Sequence, residues 1–285
     1  MTREITVVHL VWRPLEIAML GQFVAAYQRN RGGVDHNLLI LYNGFSAQNE
    51  ISAFENVLTG ITHSSIVLPN PIQDIPAYFV AGKVVTTDRL CFVNSYSRPL
   101  DPLWLQKLSR YLDEPGVGVV GATGSWESHL SGLLTGTLFE RKSPSICRLV
   151  RTARRWNLIR QAGAKFAPFP NAHLRTNSFM IERTLWNSLT FPSGTGKEPC
   201  LEFESGKSGM TAQLAERQLR PVVVGKDGMG YEAHRWLESR TYRQDQQQNL
   251  LVADNRTDQY FKAESAGAEY LRRLAWNQTR MESVP

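Results

Sequence analysis

Cysteine is scarce: three residues, Cys91, Cys147 and Cys200, stand far apart in a chain of 285. Their number is odd, and no CxxC or Cys/His spacing joins them. That excludes a disulfide framework and a zinc site, and points to reduced thiols in a cytosolic protein. Long apolar runs are missing too. None approaches the roughly 18 residues of a membrane span, so any membrane contact is expected to be peripheral. The opening MTREITVVHLVW lacks the basic-then-apolar form of a signal peptide, which adds to the expectation of a cytoplasmic location. There is no internal repeat, no low-complexity tract, and no HExxH or GxSxG pattern. What remains is an ordinary globular balance, 42% hydrophobic and 20% charged, with material for a sizeable core. The net charge of +6 suits an anionic partner: nucleic acid, acidic lipid or a phosphorylated small molecule.

Strand-like and helix-like segments alternate through the first 125 residues. ITVVHLVW (5–12), HNLLILYNG (36–44), SSIVLPN (64–70), RLCFVNS (89–95) and VGVVGATG (117–124) are short, apolar and rich in β-branched residues. Between them, 15–30, 49–59, 74–87 and 101–113 read as helical, with Leu15, Met19, Phe23, Ala26 and Tyr27 at helical spacing in the first and Asp101 and Pro102 placed to start the last. This alternation predicts an α/β protein whose mainly parallel sheet is covered on both faces. Ligands of such sheets sit beyond the carboxyl ends of the strands. Trp12, Arg13, Asn43 and Asn94 to Arg98 occupy such ends. Downstream, 166–186 reads as loop, short strand and helix, 198–218 as helix-forming, RPVVVGKDG (220–228) as a late strand, and 258–276 as a final helix.

Two glycine motifs fail on context. Gly116 to Gly121 matches GxGxxG, but a helix precedes it and its glycines lie inside a strand, so it is no dinucleotide fingerprint. SGTGK (193–197) lacks the length and the Ser/Thr of a phosphate loop. The stretch 141–165 holds eight Arg or Lys and no acid. Ile146, Leu149, Val150, Ala153 and Trp156 fall near one helical face, with Arg148, Arg151, Arg154 and Arg155 on the others. The pattern fits an interfacial helix on anionic lipid, a contact for a phosphorylated acceptor, or an amphipathic helix with a solvated basic face. The arginines lack the interleaved aromatics of a nucleic-acid stacking platform.

The segment RLCFVNSYSRPLDPLWLQKLSRYL resembles the centre of a family 2-like glycosyltransferase of the GT-A type. In that pattern a strand ends in an acidic DxD motif, followed by a proline and a helix bearing a Trp-Leu pair. Here Asn94-Ser95-Tyr96-Ser97-Arg98-Pro99 is followed by Pro102 and Trp104-Leu105. The likeness extends over most of 5–230. It implies a Rossmann-like three-layer domain at 1–230, including the basic insertion, with 231–285 as a helical and extended tail or lid. It also implies a nucleotide-sugar donor, a glycan or lipid-linked acceptor, an inverting hexosyl transfer, and a role in surface polysaccharide or glycoconjugate synthesis. Asp74-Ile75-Pro76-Ala77-Tyr78 is similar to the segment that approaches the nucleotide base and ribose. Glu202-Phe203-Glu204-Ser205-Gly206 is similar to the one that presents the catalytic carboxylate, and the region around Asp227 is similar to the strand end that closes the donor site.

The sequence departs from the pattern where a metal would bind. Asn94 and Tyr96 stand where the family has aspartates, and neither is ionised at neutral pH, whereas Mn²⁺ or Mg²⁺ is held best by carboxylate oxygen. Either a guanidinium balances the diphosphate instead, with Arg98, Arg240, Arg243 and Arg256 as candidates, or catalysis has been lost. The expected roles are therefore as follows. Glu204, with Glu202 second, is the base, both on a short extended segment before a helix. Trp12, Arg13, Asn43, Asp74, Asn94, Ser95, Tyr96, Ser97, Arg98 and Asp227 bind donor. His173, Arg175, Asn177 and His234 meet acceptor. Bland readings stand beside these: Asp74 as a helix cap, Trp12 as core, Asp227 as a turn former, and ADNRT (253–257) as an Asx-type turn with a local arginine. A catalytically inactive sugar-nucleotide-binding module is the competing function. A nucleotidyltransferase ranks last, because WRPLEIAMLGQF has no glycine-rich basic loop after the first strand.

Overall fold

The computed structural model describes residues 3–135 and 148–277. Residues 141–147 of the basic stretch, Cys147 among them, lie outside that range, as do the side chains of 148–155, so the roles read for Arg148, Arg151, Arg154 and Arg155 fall outside it as well.

The first half runs β1 (Ile5–Trp12), α1 (Ile17–Arg29), β2 (Asn37–Asn43), α2 (Gln48–Val57), β3 (Ser64–Leu68), α3 (Asp74–Val84) and β4 (Arg89–Val93). It continues through β5 (Arg98–Pro99), α4 (Trp104–Leu112), β6 (Val117–Gly121), β7 (Gly124–Ser125) and α5 (His129–Thr135). The second half holds α6 (Arg148–Lys165), β8 (His173–Leu174), β9 (Ser178–Glu182), α7 (Arg183–Ser188), α8 (Lys197–Ser205) and α9 (Met210–Glu216). It closes with β10 (Arg220–Val224), β11 (Gly230–Glu232), β12 (Val252–Ala253), α10 (Asn255–Phe261) and α11 (Ser265–Trp276).

Eight strands form one sheet in the order β11-β10-β6-β9-β4-β1-β2-β3. The pairs β1–β2, β1–β4, β2–β3 and β6–β10 are parallel; β9 runs antiparallel between β4 and β6. The expected α/β class with a mainly parallel central sheet is what the chain forms. Alternate residues of each strand feed opposite cores. Val7, Ile40 and Cys91 face α1, α2 and α4, meeting Phe23, Ile51 and Trp104. Val8, Leu41 and Phe92 face α3, α7, α8 and α9, meeting Tyr78, Trp186, Phe203 and Met210. Helices thus cover both faces, giving three layers.

Several boundaries differ from the sequence reading. The stretch 198–218 is two helices, because Gly206 and Gly209 stand at the junction with backbone from Glu202 and Phe203 too close to admit a Cβ. Glu202 and Glu204 therefore lie on a helix, not on an extended segment before one. The final helix is also two, broken after Phe261. At the amino end of β4, buried Arg89 ties three elements together. Its guanidinium donates to Glu182 of β9 at 2.8 Å, and to Ser109 Oγ at 2.9 Å and Asp113 at 2.5 Å on and after α4.

One stretch of backbone is costly. Arg243, Asp245, Gln246 and Gln247 have φ of 47, 44, 51 and 55°, and none is glycine. Left-handed conformation costs an L-residue roughly 1–2 kcal/mol. Buried Gln247 offsets part of this: its amide oxygen accepts from Arg243 N–H at 3.1 Å and its NH₂ donates to the Thr257 carbonyl at 2.9 Å.

Candidate active site

The carboxyl ends of β1, β2 and β4 open onto a cleft of about 400 Å³. Because β9 is antiparallel, its amino end lies at this same edge, which brings Arg175, Thr176 and Asn177 to the cleft. The carbonyl of Asn177 accepts from Asn94 N–H at 2.9 Å, fixing the two segments side by side. Helix α8 supplies Lys197, Cys200 and Glu204 from one side, and the segment Asp254–Asn255–Arg256 closes the other.

Of the expected residues, Trp12, Asn43, Asp74, Asn94, Ser95, Tyr96, Arg175, Asn177, Glu204 and Arg256 all line this cleft. Asn94 shapes the turn after β4. Its side-chain oxygen accepts from Tyr96 N–H at 3.0 Å and lies 2.8 Å from Ser97 Oγ, an Asx-type turn. Asn43 spends its amide on the neighbouring loop, donating to the Ile72 carbonyl at 2.7 Å and accepting from Ile72 N–H at 3.0 Å. It positions the loop that carries Gln73 and Asp74. Asp74 is the first residue of α3, where its carboxylate accepts from Ile75 N–H at 2.9 Å; Gln73, not Asp74, is the N-cap. Burial pushes the Asp74 carboxyl above its ordinary range, and the nearby charge of Glu204 pushes it the same way. Glu204 is half-buried and held by one oxygen, which accepts from Thr176 N–H at 2.9 Å.

Arg175 is mostly buried, its side chain 11% exposed, and already neutralised. It donates to Asp254 at 2.7 Å and to Thr123 Oγ1 at 3.1 Å, with its guanidinium 4.2 Å from the centre of the Tyr242 ring. Asp254 also N-caps α10, accepting from Arg256 and Thr257 N–H groups. Arg256 and Lys197 are exposed, and among the described residues neither has an ion pair. Two buried polar atoms of lining residues, Ser95 Oγ and Asn177 Nδ2, have no hydrogen-bond partner among the described residues. Thr123 Oγ1 donates to the other end of the Asn177 amide at 2.7 Å, which fixes its orientation. Such orphans are the groups a ligand or ordered water satisfies.

The remaining candidates do not line this cleft, and the structure holds them elsewhere. Arg13 lies outside the cleft, ion-paired with Glu50. Ser97 is buried behind Asn94 and within 3.0 Å of the Asn177 carbonyl. Arg98 is engaged by Asp258 through two hydrogen bonds of 2.7 and 2.9 Å and faces a different crevice. Asp227 shapes a turn, accepting from Met229 N–H at 2.9 Å and from the Tyr231 hydroxyl at 2.8 Å. Glu202 turns to Lys165, 3.1 Å away. His173 is buried, its ring Nδ1 2.8 Å from the Asn171 carbonyl, while His234 is exposed beside Glu232. Arg240 pairs with Asp245 at 3.1 Å, and buried Arg243 lies over Tyr242, 3.6 Å from Glu127. Sequence reasoning missed Gln73, Thr176, Lys197 and Asp254. Asp254 had a signal, a D-x-x-T pattern opening a helix; Thr176 and Lys197 had none.

The donor set at Asn94–Tyr96 does not fit a hard divalent cation. The Asn94 oxygen is taken up by its own turn, and Tyr96 offers a neutral phenol. Among the described residues no three His, Cys, Asp or Glu side chains group to hold a metal. No helix among the described residues is long and apolar enough to cross a membrane.

No family model matches the chain, and no curated protein matches its sequence. Solved structures resemble its backbone. The mannosyltransferase PcManGT from Pyrobaculum calidifontis, in complex with GDP-Man and Mn²⁺, matches with 13% identity and a TM-score of 0.47, over 83% of this chain and 59% of its own. Glucosyl-3-phosphoglycerate synthase from Mycobacterium tuberculosis, with Mn²⁺, UDP and glucosyl-3-phosphoglycerate, matches with 20% identity and a TM-score of 0.38, over 67% of this chain and 61% of its own. The 4-diphosphocytidyl-2C-methyl-D-erythritol synthase from Anaerococcus prevotii matches with 8% identity and a TM-score of 0.45, over 78% and 88%. The chain thus spans about three fifths of the length of the first two.

Proposed function

We propose that the chain is a glycosyltransferase of the GT-A type, moving a sugar from a nucleoside diphosphate to a glycan or lipid-linked acceptor. One observation carries the reading. Asp74, Tyr96, Glu204 and Arg256, from four distant parts of the chain, converge on one cleft at the carboxyl edge of the sheet. The nucleoside sits against Trp12 and Asp74. The diphosphate lies near Tyr96, its charge met by Arg256 and Lys197 in place of a metal. The acceptor hydroxyl gives its proton to the Glu204 carboxylate as its oxygen bonds the anomeric carbon. The bond from that carbon to the diphosphate oxygen breaks, and the nucleoside diphosphate leaves with the electron pair. A single displacement of this kind inverts the anomeric centre. Residues 1–230 form the transferase domain, and 231–285 bring Asp254 to Arg256 over it.

A finer reading assigns the enzyme to surface polysaccharide or glycoconjugate synthesis at the inner face of a membrane. The acid-free basic stretch 141–165 and the exposed Trp156 and Leu158 of α6 support contact with anionic lipid. Charge reversal at Arg148, Arg151 and Arg155 should then release the protein from anionic vesicles; an unchanged partition refutes the lipid contact. A second reading, a sugar-nucleotide-binding module without turnover, is favoured by the altered Asn94–Tyr96 turn. Thermal shifts with UDP-, GDP-, CMP- and dTDP-sugars, with Mn²⁺ or chelator, detect the donor. Donor hydrolysis or transfer that Glu204→Gln abolishes while sparing binding supports the enzyme. Binding with no turnover favours the module, and absence of any nucleotide-sugar binding removes both.

A further inference from the structure

A second crevice, of about 310 Å³, is lined by Arg98 and Ala253 of the β5–β12 pair, neither of which lines the first cleft. The chain alternates between the two. Tyr96 lines the first and Arg98 the second; Asp254 to Arg256 line the first, Thr257 and Asp258 the second. The walls of the second are Arg98, Asp258, Lys226, Gln246, Gln248 and Phe261, with others. The geometry points to a docking site here for a neutral carbohydrate, distinct from the cleft proposed for the nucleotide.

Four features support it. Gln246 and Gln248 are exposed, and among the described residues their amides have no hydrogen-bond partner. Each amide sets a donor and an acceptor in one plane, matching a pair of adjacent hydroxyls. The Arg98–Asp258 pair presents a second planar group with both functions. Phe261, at 72% exposure, stands one turn beyond Asp258 on the same side of α10, so an apolar face is offered next to polar edges. That combination suits a sugar ring, which has C–H faces and a hydroxyl rim. Finally, Gln246 sits in a left-handed, non-glycine turn clamped by buried Gln247. Strain of this kind persists at ligand-holding segments.

The charge balance argues against other occupants. Arg98 is neutralised by Asp258, so Lys226 is the one uncompensated charge among the residues named. A phosphate or nucleic-acid site would gather more cations. The inference does not rest on the transferase reading, since none of these residues touches the first cleft.

Fluorescently labelled full-length protein on a glycan microarray of neutral, sialylated and sulfated glycans tests it, with titration calorimetry on the strongest neutral glycan. Binding to neutral glycans is expected. Phe261→Ala, and separately Gln246→Ala with Gln248→Ala, should weaken it about tenfold or more, as loss of an anchoring contact does. Thermal shifts with nucleotide sugars should be unaltered in both variants, which separates this site from the first cleft. Failure to bind any neutral glycan, binding confined to acidic glycans, or neutral binding that survives both variants overturns the proposal.

Discussion

Arg175 and the buried Asp254 are 2.7 Å apart in a mostly buried ion pair that joins the centre of the sheet to the C-terminal segment. Burial opposes the charge on each; for Asp254 the guanidinium and the Thr257 hydrogen bonds outweigh it and hold the carboxyl below its ordinary 3.8. A carboxyl depressed on folding contributes stability above its unfolded value, lost as pH falls through the folded one. Asp254→Asn keeps the helix cap but leaves Arg175 uncompensated, at a cost of about 3–5 kcal/mol in urea unfolding at pH 7. It should also flatten the acid limb below about pH 4. Arg175→Met combined with Asp254→Asn should cost less than the two single changes added together; strict additivity would show that the pair is not coupled.

Asp74 has the opposite sign. Burial and the charge of Glu204 raise its carboxyl, so the folded state holds its proton more tightly than the unfolded one. Stability then falls as pH rises through 3.8 to the folded value, and the penalty persists at neutrality. Asp74→Asn can still accept from Ile75 N–H. It should raise the melting temperature at pH 7 while weakening nucleotide-sugar binding. A lower melting temperature at pH 7 with no gain over wild type would contradict this.

Arg256 is expected to matter for the donor and little for folding. Arg256→Gln should weaken nucleotide-sugar binding by about tenfold, the usual scale of one charge-assisted hydrogen bond. The melting temperature without ligand should hardly move. Wild-type binding should be insensitive to chelator, measured by calorimetry in EDTA and in Mn²⁺. A large loss in EDTA would assign the diphosphate charge to a metal.

Gly82 tests packing against propensity. In an isolated helix Gly→Ala stabilises by up to about 1 kcal/mol. Here a Cβ would stand 2.5 Å from the Trp186 ring, which is fully buried. Gly82→Ala should therefore destabilise by about 1–3 kcal/mol, the range for overpacked cores. A neutral or positive change in the urea midpoint would mean that the indole moves aside.

The alternation of β1 to β4 with α1 and α2 was legible because buried strands and amphipathic helices write different periods; α3 is apolar all round and was legible from its length and its place between β3 and β4. The place of β9 was not. Its five residues read as a strand, but nothing local says that it runs antiparallel between β4 and β6. That placement brings Arg175 to Asn177 to the cleft. Strand ends located Trp12 and Asn94 to Tyr96 correctly at the cleft edge. The same reasoning put Arg98 there, two residues on, although Arg98 opens β5 and lines the second crevice instead. Which arginine meets which carboxylate is set by chain segments some eighty residues or more apart, as with Arg175–Asp254 and Arg98–Asp258, and no spacing encodes it.

The late arrival of β9 bears on how the chain is made. On a ribosome that delivers residues in order, β4 emerges with β1 as its neighbour on one side and bare backbone on the other, until Ser178–Glu182 appears. A polypeptide halted near residue 125 carries that open edge, and unpaired edges recruit other chains. Closure of the sheet is thus a delayed, long-range event, and nascent protein is most exposed to self-association while that wedge is still awaited.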